Sequence, residues 1–313
     1  MELYIGVEIG ATKQQIAVGD KDGNLKSTLS EHVDTSRGAV GILEWLDVNI
    51  PEVRDSVTAE GGSTAGIGVG FGGVVDSRSG GIVLSVQVQG WDDLPLKKRF
   101  EECYGLPTVV ENDTVAGGYG EYRAGVGKGT DSFFYTNIGS GIGGALFIDG
   151  RPITGQNRGA VYFGHTRVPS LYEAGKSEKV ENICSGFAIE RRLRKPGYIP
   201  EDSLIHKMGG PDCRSLGKAA YAGDTFALKE IDCVARSFGT GLSNIVTLFH
   251  PERLAIGGGV ANIGPLLIEL IAKYVGEEVF EPLNRDFEVL QCKFKDNAVL
   301  VGAVMLAAKT SIE

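Results

Sequence analysis

Two glycine-rich hairpins, one opening each half of the chain, constrain the fold more than any other feature. Residues 3–9 and 14–19 read as strands around the turn Gly10-Ala11-Thr12-Lys13, and Asp22-Gly23 marks a tight turn beyond them. Residues 132–138 and 145–148 repeat the plan around Gly139-Ser140-Gly141-Ile142-Gly143-Gly144, with Asp149-Gly150 following. One such hairpin carries little information. Two, each followed by an Asp-Gly turn, imply an internally duplicated architecture with two facing domains. Strands are also expected near 66–70, 107–111, 253–256 and 287–292. Helices are expected near 38–50, 113–123, 186–195, 214–222 and 225–249, from about 264, and over 298–308. This alternation is that of an α/β protein. The expected domains are 1–114 and 115–296, with the final helix, about 297–313, returning to the first.

The hairpin tips suit a phosphate chain. Such a ligand needs several N–H groups pointing inward and no side chain in the way, and glycine permits both. Thr12 and Ser140 add hydroxyl donors, and Lys13 adds a positive charge or faces solvent. Either tip alone reads as an ordinary turn; the pair favours phosphate binding. Gly257-Gly258-Gly259 sits where a strand meets a helix, the place where α/β sheets bind ligands. Close helix–strand packing explains it equally well. In Glu111-Asn112-Asp113-Thr114, Asp113 falls between a strand and a helix. Helix capping accounts for it as well as a general base does.

Composition removes several classes of function. The chain of 313 residues is 42% hydrophobic and 23% charged, with net charge −9, so it is an ordinary globular protein of about two domains. Its basic clusters are short: Lys97-Lys98-Arg99 runs into Glu101 and Glu102, and Arg191, Arg192, Arg194 and Lys195 fit a solvated helix face rather than a nucleic-acid track. The five cysteines are scattered with no CxxC pair, which points to reduced thiols. No signal-peptide pattern opens the sequence and no apolar run reaches the ~20 residues of a membrane helix. A cytoplasmic location is therefore expected.

Taken together, several segments resemble one family. They are Gly6-Val7-Glu8-Ile9-Gly10-Ala11-Thr12-Lys13, Gly68-Val69-Gly70-Phe71-Gly72-Gly73, Glu111-Asn112-Asp113, Ile138 to Gly144, Gly164-His165, Glu181 to Gly186 and Gly257-Gly258-Gly259. In this order they resemble the ROK family of bacterial glucokinases and related hexose kinases, which has repressors as relatives. The resemblance implies an actin-like, hexokinase-type fold of two α/β domains around a cleft that holds ATP. It implies Asp113 as catalytic base, with Asn112, Asp113, His165 and Glu181 on sugar hydroxyls and Gly72 and Gly73 lining the sugar site. Gly10, Ala11, Thr12, Lys13, Gly139, Ser140, Gly141 and Gly143 would hold phosphates, and Gly258 and Gly259 would flank the adenosine.

The chain departs from the family pattern at three places. Glu8 replaces the usual Asp and would hold Mg²⁺ through water, one methylene further out. Tyr162 replaces a Glu, which removes a hydroxyl acceptor from the sugar site. The segment from Thr166 to Val180 has no cysteine where many members carry a zinc loop, so no zinc site is expected. The expected reaction is ATP-dependent phosphorylation of a sugar hydroxyl, the 6-hydroxyl of a hexose, with ATP and Mg²⁺ as cofactors. The alternative is a non-catalytic sugar or nucleotide sensor. Expected partners are a small-molecule sugar and a second copy of the chain, with no membrane and no nucleic acid. The first strand begins at once, without an upstream helix-turn-helix.

Overall fold

The first hairpin forms where the glycine tip places it. In the computed structural model, which describes residues 2–85, 87–156, 158–159 and 161–310, β1 (Glu2–Ile9) and β2 (Lys13–Gly19) run antiparallel. Glu8 lies opposite Gln15, and Ile9 opposite Gln14. β3 (Leu25–His32) adds an edge strand that the sequence pattern did not suggest. All its residues except Leu25 are exposed, so it lacks apolar alternation, and its Lys26 and Glu31 suit an unpaired edge. α1 (Gly38–Ala59) follows. It runs through Pro51, where a proline would ordinarily end a helix, because its buried stripe of Ala39, Ile42, Leu46, Ile50 and Val57 continues past that point. β4 (Ser63–Phe71) pairs parallel with β1. The hairpin of β5 (Val74–Asp76) and β6 (Gly81–Leu84) precedes α2 (Leu96–Tyr104), β7 (Thr108–Asn112) and α3 (Asp113–Ala124). The sheet order is β3-β2-β1-β4-β7. One face packs Val7, Ile16 and Val69 against Ile42 and Leu46, with Trp91 and Phe100.

The second sheet repeats this plan. β8 (Ser132–Ile138) and β9 (Ile142–Ile148) form the antiparallel hairpin, and the two-residue β10 (Arg151–Pro152) follows. A short hairpin, β11 (Arg167–Pro169) with β12 (Ser177–Lys179), leads into α4 (Val180–Cys184) and α5 (Gly186–Leu193). Then come α6 (Cys213–Tyr221), α7 (Thr225–Phe249), β13 (Arg253–Gly257), α8 (Pro265–Glu278) and β14 (Glu288–Gln291). The order β9-β8-β13-β14 places β13 parallel to both β8 and β14. Phe134, Phe163, Phe238, Leu242 and Ile256 fill its core.

The last helix, α9 (Ala298–Thr310), packs on the first sheet and on α3. Two glycines make that packing possible. A Cβ on Gly68 would stand 1.9 Å from the Ala303 carbonyl oxygen, and one on Gly302 would stand 1.7 Å from that of Ala116. The chain thus divides into two compact units, Met1–Gly129 with Arg151–Ala160 and Asn297–Glu313, and Thr130–Gly150 with Val161–Asp296. Among the described residues, no helix is long and apolar enough to cross a membrane.

Candidate functional site

In the first unit, the candidate residues gather at the carboxyl ends of β1, β4 and β7. Gly10 donates its N–H to the Lys13 carbonyl at 3.0 Å and closes the first tip. Gly72 donates to the Ile9 carbonyl at 2.8 Å, which brings the turn after β4 beside that tip. Asn112 caps α3: its side-chain oxygen accepts from the N–H groups of Thr114 (3.0 Å) and Val115 (3.3 Å). Its amide nitrogen donates to the Gly73 carbonyl at 2.9 Å. One side chain therefore fixes both the start of the helix and the Gly72-Gly73 turn.

Asp113 is the first residue of α3. Its Oδ1 accepts from the Thr114 N–H at 2.7 Å and from the Thr114 hydroxyl at 3.2 Å. Its Oδ2 looks toward Gly72, where an added Cβ would lie 3.5 Å away. Burial raises the Asp113 carboxyl above the usual carboxylate range, against the opposing hydrogen bonds from Thr114. Glu111, on β7, accepts from the Ser77 hydroxyl at 3.1 Å and is likewise raised by burial. Glu8 pairs with Lys13, Nζ to Oε2 at 3.7 Å. Gln15 lies across the ladder from Glu8, is 8% exposed, and its side-chain oxygen has no hydrogen-bond partner. The sequence reading did not single out Gln15, because nothing in its immediate neighbours reveals that it is buried.

In the second unit, three segments meet around the other tip. Gly139 donates to the Gly141 carbonyl at 3.0 Å, and Gly186 donates to the Gly139 carbonyl at 2.7 Å. Gly143 donates to the Asn137 side chain at 2.8 Å. Gly258 adopts φ +86°, and a Cβ there would stand 2.6 Å from the Ile138 carbonyl carbon and oxygen, whereas one on Gly259 would meet nothing within 4 Å. Gly258→Ala is therefore expected to cost about 1–2 kcal/mol or more from the left-handed conformation and the clash. Gly259→Ala should stay within about 0.5 kcal/mol of wild type. Urea unfolding midpoints compare the two.

Glu181, in the first turn of α4, accepts the Ile142 N–H at 2.8 Å and so ties α4 to β9 just past the tip. His165 ends a 3₁₀ turn, Phe163–His165, and is exposed. Its Nδ1 lies 3.3 Å from the Lys179 ammonium, and the Tyr162 ring packs edge-on to it with centroids 6.3 Å apart. Lys179 carried no motif and was missed.

The segment without cysteines is held by a buried polar network. Glu230 on α7 accepts from Arg192 Nε at 2.9 Å, Tyr172 at 3.0 Å and Tyr198 at 2.8 Å. The Arg192 guanidinium also lies over the Tyr172 ring at 4.3 Å and donates to the Ile183 carbonyl at 2.6 Å.

Known proteins share this fold. The glucokinase of Streptomyces coelicolor is 31% identical over 318 residues, with 98% of each chain covered. The crystal structure of a ROK family glucokinase from Streptomyces griseus, in complex with glucose and AMPPNP, superposes with a TM-score of 0.83 at 31% identity, covering 98% of this chain and 99% of that one. A ROK family transcriptional regulator homologous to the E. coli MLC protein has a TM-score of 0.86 at 21% identity, covering 99% of this chain and 78% of that one, a likeness of fold. The fold is the actin-like, hexokinase-type α/β fold. The ROK family model matches residues 4–310, and the chain belongs to the ROK family.

Proposed function

We propose that this protein is an ATP-dependent kinase of a sugar hydroxyl, the 6-hydroxyl of a hexose, with Asp113 as general base. The observation that carries the reading is the Asp113 carboxyl. It is buried at a strand-to-helix junction, Thr114 occupies one oxygen, and the other looks toward a glycine that leaves its approach open. The glucokinases among the relatives, and the glucose and AMPPNP bound to the Streptomyces griseus enzyme, support the same pair of substrates. The regulator shares the fold, but a buried candidate base favours catalysis over sensing alone.

In this reading the acceptor alcohol donates its proton to Asp113 Oδ2 as its oxygen attacks the γ-phosphorus, and the bond from that phosphorus to the β,γ-bridging oxygen breaks to release ADP. Asn112 holds Asp113 and the Gly72-Gly73 turn in place, and Gly72 and Gly73 line the sugar site. His165 and Glu181 contact the sugar's hydroxyls. Gly10, Ala11, Thr12 and Lys13, and Gly139, Ser140, Gly141 and Gly143, bind phosphates through backbone N–H groups and side-chain donors. Gly258 and Gly259 flank the adenosine. Glu8 and the unpartnered oxygen of Gln15 form an oxygen-rich pair that suits a hydrated Mg²⁺. When bound there, the ion would neutralise charge on the phosphates.

A panel of hexoses incubated with ATP tests the reading. ADP release that depends on one sugar is expected. A sugar that binds without any ADP release would favour the sensor.

A further inference from the structure

We propose that Lys179 is a positioning residue that fixes the tautomer of His165, presenting Nε2–H as a permanent donor to the sugar. The proposal rests on the sugar-kinase reading for its kinetic consequence but not for the tautomer itself. An ammonium group has three donors and no acceptor. With its Nζ 3.3 Å from His165 Nδ1, it can only donate to that nitrogen. A neutral imidazole that accepts at Nδ1 carries its proton on Nε2. Lys179 thus decides which edge of the ring is a donor.

The surroundings hold the two side chains in this relation. Lys179 ends β12, opposite Arg167 on β11, so its backbone belongs to a paired strand. Its own N–H donates to the Glu178 side chain at 2.8 Å. His165 closes a 3₁₀ turn whose Phe163 is 1% exposed in the core, and the His165 N–H donates to the Tyr162 carbonyl at 2.9 Å. Val180 donates to the Thr166 carbonyl at 3.0 Å, which ties the residue after Lys179 to the residue after His165. The Tyr162 ring stands edge-on to the imidazole, with centroids 6.3 Å apart. Among the described residues, no group of three or more His, Cys, Asp or Glu side chains could hold a metal ion on Nδ1. The ammonium is the positive partner that nitrogen has.

A sugar hydroxyl can donate or accept, so a site that offers a fixed donor dictates that the facing hydroxyl accepts there. Its proton must then go to another group, and Glu181, next but one to Lys179 in the chain, bears a carboxylate. The other tautomer would place Nδ1–H against the ammonium, donor to donor, and turn an acceptor toward the sugar.

The test is ¹H–¹⁵N correlation NMR of protein labelled at histidine, near pH 8. The chain has four histidines, so His165→Gln assigns the resonance. The expected wild-type spectrum shows Nδ1 unprotonated and Nε2 protonated. Lys179→Met should give a mixture of tautomers or the reverse one, and Lys179→Arg should keep the wild-type pattern. With glucose as probe, Lys179→Met should raise KM for the sugar by about tenfold, with KM for ATP unchanged and kcat within a few-fold. An unchanged His165 pattern in a folded Lys179→Met protein would overturn the proposal, and so would a shifted tautomer with unchanged sugar KM. If the wild type phosphorylates none of the sugars tried while the tautomer still shifts, the kinase reading fails and the hold of Lys179 on the ring stands.

Discussion

Asp113→Asn is expected to lower kcat by about 10²–10⁴-fold, the usual contribution of a general base, while leaving nucleotide affinity close to wild type. Asparagine keeps the size of the side chain and its oxygen can still accept from Thr114, but it cannot take a proton. Stability should move the other way. Burial raises the Asp113 carboxyl, so below the value it has in the unfolded chain it is neutral in both states and any stability it confers is fully present. As pH rises through the raised folded value, the folded state must carry a buried charge and that stability is lost. At neutral pH the amide avoids this cost, so the variant should unfold no earlier than wild type. Turnover falling without loss of stability separates a chemical role from a structural one. In the wild type, kcat should rise with pH through a value above the ordinary aspartate range, since the base must be ionised. Steady-state kinetics over pH, nucleotide titration and thermal unfolding read these effects. A folded Asp113→Asn enzyme with unchanged turnover would remove Asp113 from the mechanism.

Glu230→Ala is expected to cost about 3–5 kcal/mol, because it leaves a buried guanidinium without its partner. Arg192 is 7% exposed and Glu230 4%, and two phenols share the same carboxylate. Burial first, and Glu230 second, hold both phenols well above the ordinary tyrosine value, so Tyr172 and Tyr198 keep their protons and donate. Removing Glu230 therefore strands one charge and two hydroxyls at once. The double variant Arg192→Met/Glu230→Leu removes both charges, and apolar pairs often replace buried ion pairs at little cost. It should recover most of the loss despite the stranded phenols. Urea denaturation followed by tryptophan-independent circular dichroism measures both variants. Equal destabilisation of the single and double variants would mean that the ion pair is not what the Glu230 site contributes.

The parts of the fold that could be read from sequence were those governed by local rules. Glycine tips and Asp-Gly turns gave both hairpins, and an Asn-Asp pair after an apolar run marked the junction of β7 and α3. β3 escaped because its polar, exposed residues show no alternation; it is a strand only because β2 offers an edge. The end of α1 escaped because burial of Val57 outweighed the usual effect of Pro51. At the candidate site, glycines and carboxylates were legible by type, but their engagements were not. Asn112 reads as a sugar ligand from sequence, whereas in the structure its side chain binds four backbone groups. Lys179 and His165 are fourteen positions apart and meet only because β11 and β12 pair. Glu230 gathers partners from as far as Tyr172 in the chain, and no spacing rule spans that distance.

A crystal structure with glucose and a non-hydrolysable ATP analogue tests the central claim most directly, through the distance from Asp113 Oδ2 to the nearest sugar hydroxyl. The account predicts hydrogen-bond contact, about 2.6–3.2 Å, to a hydroxyl whose oxygen points at the terminal phosphate. A sugar bound with every hydroxyl out of reach of Asp113 would contradict it.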